Sequence, residues 1–206
     1  MRSFVVDYNQ NGRRVVKGLG HYEKKTVSDL KQLVKNCARE YGNKVGFKFK
    51  SSDGNIVEKT YIQMDEEIDS LGTALVDKGF KGRRIAIISE NRYEWGLCYY
   101  AIINGTGIGV PLDKYLPREE IENLVTRGQV EAIFYSASYH EMMREISKTN
   151  KHLKLYICMD DIALEGTDES FTTLQKLIEE GRLLLSQGNR SFVDAEIDRN
   201  AMSILL

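Results

Sequence analysis

The glycine cluster Gly105-Thr106-Gly107-Ile108-Gly109 is the first place in this 206-residue chain where chemistry could reside, because glycine lets backbone N–H groups close on a phosphate. The order around it argues otherwise. A dinucleotide fingerprint follows a strand and opens a helix, whereas this cluster closes a predicted helix and precedes the strand ending in Val110-Pro111-Leu112. It has neither the G-x-G-x-x-G spacing nor the Gly-Lys-Ser/Thr of a P-loop, so a helix stop packed tightly against a sheet is the expected role. The three histidines, His21, His140 and His152, have no carboxylate or cysteine at metal-ligand spacing, and no serine sits in a G-x-S-x-G turn. Asp65-Glu66-Glu67 with Asp69 is expected on the solvated face of its helix. Met159-Asp160-Asp161, at a strand end, could hold a magnesium ion, but one acidic pair with no phosphate cradle beside it reads better as a solvated turn. Tyr93, Trp95, Tyr99 and Tyr100 share one predicted helix and are read as core, with the lining of an acyl pocket as the alternative. On this reading no residue is assigned a catalytic, cofactor-binding or metal-ligating role.

The elements that must position these residues are legible in outline. Residues 1–25 carry no sustained period and contain Asn11-Gly12 and Gly18-Leu19-Gly20, so an irregular lead-in with one short strand is expected. Thr26 is placed as the cap of a helix whose buried face is Val27, Leu30, Leu33, Val34, Cys37 and Ala38, stopped by Gly42. Val45 to Lys50 and Asn55 to Thr60, joined through Asp53-Gly54, form a hairpin. Thr60-Tyr61-Ile62-Gln63 is a capping box opening a helix with Ile68, Leu71, Leu75 and Val76 inward and Gly79 at its end.

From Arg84 onward strands and helices alternate. Strands are expected at 85–89, 108–112, 130–135, 153–159 and 202–206. The intervening helices are one capped by Asn91 with Glu94 and running toward Asn104, one from Pro117 through Val125, one from Ser136 or Ser138 to Lys148, and one over 171–187. This alternation predicts an α/β fold, a mostly parallel sheet with helices on both faces.

Composition is that of a soluble globular domain, with 42% hydrophobic and 29% charged residues. Lys and Arg number 29 against 30 Asp and Glu, and the net charge of −1 provides no general field for nucleic acid or an anionic membrane. The most basic stretches, Lys17 to Lys25 and Lys78 to Arg84, are short and interrupted, and are read as solvated faces. Cys37, Cys98 and Cys158 are odd in number and widely spaced, which excludes a disulfide framework and points to a reducing cytoplasm. No apolar run approaches the roughly 20 residues of a membrane-spanning helix.

The blocks between Thr60 and Pro117 carry a resemblance. Thr60-Tyr61 opens a helix, Leu71-Gly72-Thr73-Ala74-Leu75 precedes Lys78-Gly79, and the strand Arg84 to Ile88 leads into Ser89-Glu90-Asn91-Arg92-Tyr93-Glu94-Trp95. Asn104-Gly105-Thr106-Gly107, Val110-Pro111-Leu112-Asp113-Lys114 and Pro117, Glu119 and Glu120 follow in register. This series resembles the amino-terminal region of adenylate-forming (AMP-binding) enzymes, nearest to bacterial long-chain fatty-acid or acyl-CoA synthetases, and extends more weakly from Thr26 to Leu206.

The resemblance implies that residues 26–206 are part of the amino-terminal α/β domain of such a ligase. The family's phosphate-gripping loop would begin just beyond the strand in 198–206, and the remainder of the enzyme would follow Leu206 as its partner. ATP, Mg2+ and coenzyme A, with a fatty or other carboxylic acid, are then implied for the whole enzyme and none for these residues. Its reaction would be adenylation of the acid followed by acyl transfer to CoA, and no catalytic residue of the family falls on a position present here. Two other readings stay open: an interaction or regulatory module on a ligase scaffold, and an independent nucleotide-binding domain.

Overall fold

The computed structural model describes residues 4–18, 25–51, 54–164 and 167–206. His21, Asp53, and Leu19 and Gly20 of the first glycine pair lie outside that set, as does most of the basic stretch from Lys17 to Lys25.

The body is a five-stranded, wholly parallel sheet in the order β6-β5-β7-β8-β9, formed by β5 (Arg84–Ile88), β6 (Ile108–Pro111), β7 (Val130–Tyr135), β8 (Leu155–Cys158) and β9 (Phe171–Thr173). Ile85 to Ile88 are 0% exposed, the continuous burial that parallel strands covered on both sides require. One face is covered by α2 (Tyr61–Asp77), α3 (Tyr93–Ala101) and α6 (Leu174–Ser186), which pack on Ile85, Ile87, Phe134 and Ile157. The other is covered by α4 (Arg118–Arg127) and α5 (His140–Thr149), which pack on Ala86, Ile88, Ile133 and Tyr156. The expected architecture, a parallel sheet between two helical layers, is thus what the chain forms. Two antiparallel hairpins precede it, β1 (Phe4–Tyr8) with β2 (Arg14–Gly18) and β3 (Val45–Lys50) with β4 (Ile56–Thr60), separated by α1 (Leu30–Tyr41).

The locally encoded features are where the sequence places them. The Thr60 hydroxyl accepts from Gln63 N at 3.2 Å while Gln63 Oε1 accepts from Thr60 N at 2.9 Å, completing the capping box. Gly42 closes α1 at a positive φ of 54°. The glycine cluster is a packing device. Gly105 sits at φ 144°, and a Cβ on Gly107 would lie 2.1 Å from the Arg83 carbonyl oxygen, so the chain can approach the backbone just before β5 only with no side chain at Gly107.

Several boundaries differ, each for a tertiary or short-range reason. The cap of helix α1 lies three residues after Thr26, because the Asp29 carboxylate, accepting from Gln32 N at 2.8 Å, supplies it. Asn91 and Glu94 make no capping box: α3 begins after Arg92 without a side-chain cap, and Glu94 binds the Arg92 guanidinium instead. The α-helix ends at Ala101, and residues 102–106 form a wide π-type turn in place of the expected run to Asn104. After Ser136 a short 3-10 turn over 137–139 precedes α5. Phe171–Thr173, expected to be helical, is the edge strand β9, after which the Thr173 hydroxyl caps α6. At 202–206 only Ile204 bridges, in parallel, to Gly109. Residues 4–18 form a two-stranded hairpin in place of an irregular lead-in.

Helices α2 and α6 meet at backbone distance, where Gly181 lies against the Ser70 carbonyl. Phe192, fully buried, seats its ring on Gly72. The Lys31 ammonium holds that segment by donating to the Phe192 and Ala195 carbonyls at 2.8 and 2.7 Å.

Candidate functional site

In open α/β sheets, ligands bind outside the carboxyl ends of the strands where the strand order reverses. Here β5 is followed by β6 on one side, and the chain then crosses to β7 on the other, so the reversal lies between β5 and β7. Three loops converge at that edge: residues 89–92 after β5, 136–138 after β7 and 159–161 after β8. The first and third of these, with the β3-β4 hairpin and the start of α6, line a cleft of about 880 Å³.

Arg92 is the hub of this edge. Its Nε donates to Glu94 Oε2 at 2.7 Å and its Nη1 to Asp160 Oδ1 at 2.8 Å, with Glu90 Oε1 at 3.6 Å. Burial alone would lower its pKa, but the hydrogen bonds and charges of Glu94 and Asp160 outweigh it and hold the guanidinium above its usual value. Asp160 Oδ2 accepts the backbone N–H of Ala137 at 2.7 Å, and Ser136 Oγ donates to Glu90 Oε2 at 2.8 Å and lies 3.0 Å from Ser138 Oγ. The Arg92–Asp160 pair thus ties the ends of β5 and β8, and Asp160 and Glu90 extend the tie to the loop after β7. Asp160 is therefore a paired, half-buried carboxylate and not part of a solvated turn.

A second network forms the opposite wall. The Tyr93 hydroxyl donates to Glu67 Oε2 at 2.7 Å, and Glu67, only 7% exposed, also pairs with Lys59 of β4. Burial, then the Glu67 charge, raises the Tyr93 pKa and keeps the phenol protonated. Phe49 stacks on the Tyr93 ring at 5.4 Å, which anchors the hairpin to α3. Lys35 of α1 sits 2.9 and 2.6 Å from Asp65 and Asp69. The acidic run on α2 is thus not a solvated face: three of its carboxylates are bonded to cations from α1 and β4, and of the four only Glu66 is exposed.

The cleft carries three cations, Lys50, Lys59 and Arg92, against six carboxylates. Arg92 and Lys59 are already engaged with acidic partners. Such a wall repels polyphosphate and carboxylate ligands and offers no backbone cradle. Among the described residues no group of three or more His, Cys, Asp or Glu side chains is placed to hold a metal ion. The lining of this cleft therefore offers a triphosphate no complementary charge.

Trp95 stacks on Tyr99 at 5.3 Å, and Tyr99 meets Tyr100 edge-on at 5.8 Å. All three are half-buried at the margin of the core, while Tyr93 alone of the group is buried. His152 is exposed, and no disulfide joins the described cysteines. His140 Nδ1 lies 3.0 Å from the Tyr135 hydroxyl, and burial, then the Arg144 charge, lowers its pKa. The sign follows: a depressed histidine stabilises the fold above the unfolded value of about 6.5, and that contribution is lost as pH falls through the lower folded value. Unfolding midpoints measured from about pH 7 to about pH 5 should therefore fall less steeply in His140→Gln than in the parent.

The convergence on Arg92 is not visible residue by residue, since its partner Asp160 is 68 positions away. One signal could have found it: Ser89 to Arg92, Ser136 to Ser138 and Met159 to Asp161 each follow the end of a predicted parallel strand.

The chain matches the AMP-binding enzyme family over residues 34–198. It is 28% identical over 149 residues to a crotonobetaine/carnitine–CoA ligase of Shigella flexneri, covering 71% of this chain and 29% of the relative. A ligase of the same description from Citrobacter koseri is 29% identical over 150 residues, with the same coverage. The chain spans less than a third of the length of these relatives. Among solved structures it is similar to the adenylation domain of a carboxylate reductase from Mycobacterium chelonae, with a TM-score of 0.70 at 14% identity, covering 85% of this chain and 32% of that one. A putative long-chain-fatty-acid CoA ligase from Rhodopseudomonas palustris aligns with a TM-score of 0.61 at 17% identity over 86% of this chain and 38% of its own length. The five-stranded sheet and its helical layers are those of the amino-terminal domain of adenylate-forming enzymes, and by a match that spans most of its length the chain belongs to the AMP-binding enzyme family.

Proposed function

We propose that the chain is the amino-terminal subdomain of an ATP-dependent acyl-CoA synthetase acting on long-chain fatty acids in the cytoplasm, inactive by itself. The observation that carries this reading is the family match over 34–198 in a chain that spans only 29% of its curated relatives. The acidic, self-satisfied cleft supports it, because a wall with twice as many carboxylates as cations does not receive a triphosphate. ATP, Mg2+ and CoA would be held by the remainder of the enzyme, which supplies the charge neutralisation that adenylation needs. The residues of this chain position the sheet: Arg92 and Asp160 tie the ends of β5 and β8 to the loop after β7, and Gly107 and Gly181 set the spacing of chain and helices. Long-chain specificity draws support from the fold shared with a putative long-chain-fatty-acid CoA ligase, while the curated relatives are named for crotonobetaine and carnitine.

The purified 206-residue chain, incubated with Mg-ATP, a long-chain fatty acid and CoA, is expected to release no pyrophosphate above background, and ATP titrated into it should give no heat of binding. Turnover or ATP affinity in the chain alone would overturn the assignment. The polypeptide encoded when the reading frame is followed past Leu206 should show the higher kcat/KM with a long-chain fatty acid. A preference for crotonobetaine would reject the long-chain reading and leave the ligase reading intact.

A further inference from the structure

The β1-β2 hairpin is a two-sided ribbon whose burial is incomplete. Phe4, Val6 and Tyr8 of β1 and Val16 of β2 share one face with Arg14, which stands opposite Tyr8, and these four apolar side chains are 46%, 38%, 66% and 56% exposed. The other face carries Val5, Val15 and the Asp7–Lys17 ion pair at 3.4 Å. A two-stranded ribbon is marginal in water, and three or more strands with a continuous apolar face are needed for independent stability. The hairpin also lies outside residues 34–198, the span of the family match.

Among the described residues both outer edges of the ribbon are unpaired, and they differ in charge. β2 carries Arg14 and Lys17, with Arg13 just before it, so pairing β2 with a second β2 would gather six cations along one seam. β1 carries a single charge, Asp7. Paired antiparallel with its own copy about Val6, β1 places Val6 opposite Val6, Phe4 opposite Tyr8 and Asp7 opposite Val5. Aromatic faces aromatic, no like charges meet, and the register is self-complementary about a two-fold axis. We propose that β1 is a self-association edge: two copies of the chain join β1 to β1 into a four-stranded antiparallel sheet whose one face carries Phe4, Val6, Tyr8 and Val16 of both. A five-residue seam buries less than the roughly 800 Å² per partner of a standard interface, so the dimer is weak, with a Kd of about 10 to 100 µM.

Sedimentation equilibrium of the chain tests this. The mass should rise from 23.6 kDa at low micromolar concentration toward twice that at several times the expected Kd. Val6→Lys and Val6→Glu should each remain monomeric over the same range, and an equimolar mixture of the two should recover the dimer, since opposite charges then meet at the two-fold axis. The mixture separates a broken seam from a merely frayed hairpin. Amide hydrogen exchange should slow with concentration in β1 and not in β2. A constant mass of 23.6 kDa, dimerisation untouched by Val6→Lys, failure of the mixture to recover it, or full protection of β1 already in the monomer would each overturn the proposal.

Discussion

Replacing Gly181 by alanine is expected to lower the thermal unfolding midpoint by about 10 °C, the consequence of about 3 kcal/mol of forced overpacking in a chain of this size. Gly181 lies in α6 where that helix crosses α2, and a Cβ built on it would sit 1.8 Å from the Ser70 carbonyl oxygen and 2.5 Å from the carbonyl carbon. Backbone cannot rotate aside as a side chain can, so the helices must part. Leu71, Leu75, Leu177 and Ile178, at most 4% exposed in the same core, then lose contact with their neighbours. Gly96, in the middle of α3, is the control: nothing lies within 4 Å of its would-be Cβ. Alanine there removes backbone freedom from the unfolded chain and should stabilise by about 0.5 to 1 kcal/mol. Calorimetric midpoints of the two variants should move in opposite directions. A Gly181→Ala midpoint within a degree or two of the parent would show that α2 and α6 are not packed backbone to backbone.

Arg92→Met should cost about 2 to 3 kcal/mol in urea unfolding, less than the about 3 to 5 of a fully buried pair because the Arg92 side chain is 22% exposed. Methionine keeps much of the stem volume but leaves Glu94 and Asp160, 21% and 29% exposed, facing one another without a cation. Asp160→Asn should cost less, about 1 to 2 kcal/mol, since the amide oxygen can still accept the Ala137 N–H while the ion pair is lost. If Arg92 and Asp160 act as one unit, the double variant should be less destabilised than the sum of the singles by about 1 to 2 kcal/mol. Strict additivity would contradict the tie between the ends of β5 and β8.

The features that sequence alone located are those settled by neighbours a few positions apart. The Thr60 box needs only residues 60–63, Gly42 needs only the turn before it, and the apolar run at 85–88 declares a covered strand by its own composition. Strand β9 escaped because three residues, Phe171-Thr172-Thr173, carry too little pattern to outweigh the helical period that follows, and their pairing with Tyr156 to Cys158 is set by the sheet. The acidic run on α2 was misplaced for the same reason. Helical position says where Asp65, Glu67 and Asp69 point, but not that Lys35 and Lys59 arrive from other elements to meet them.

By itself, then, the sequence determined the alternating α/β order, the parallel sheet between helical layers and, through blocks in register from Thr60 to Pro117, the family. The element order and the sheet follow from short-range propensity and periodicity, which are read without knowing what lies opposite, and the family from resemblance alone. Only the tertiary structure decided that the carboxyl edge of the sheet is an acidic crevice closed by Arg92, that glycines 107 and 181 are contact points, and that among the described residues the β1 edge is left unpaired. Each depends on groups brought together from distant positions, where charge pairing and steric fit are properties of distance in space and leave no period in the chain.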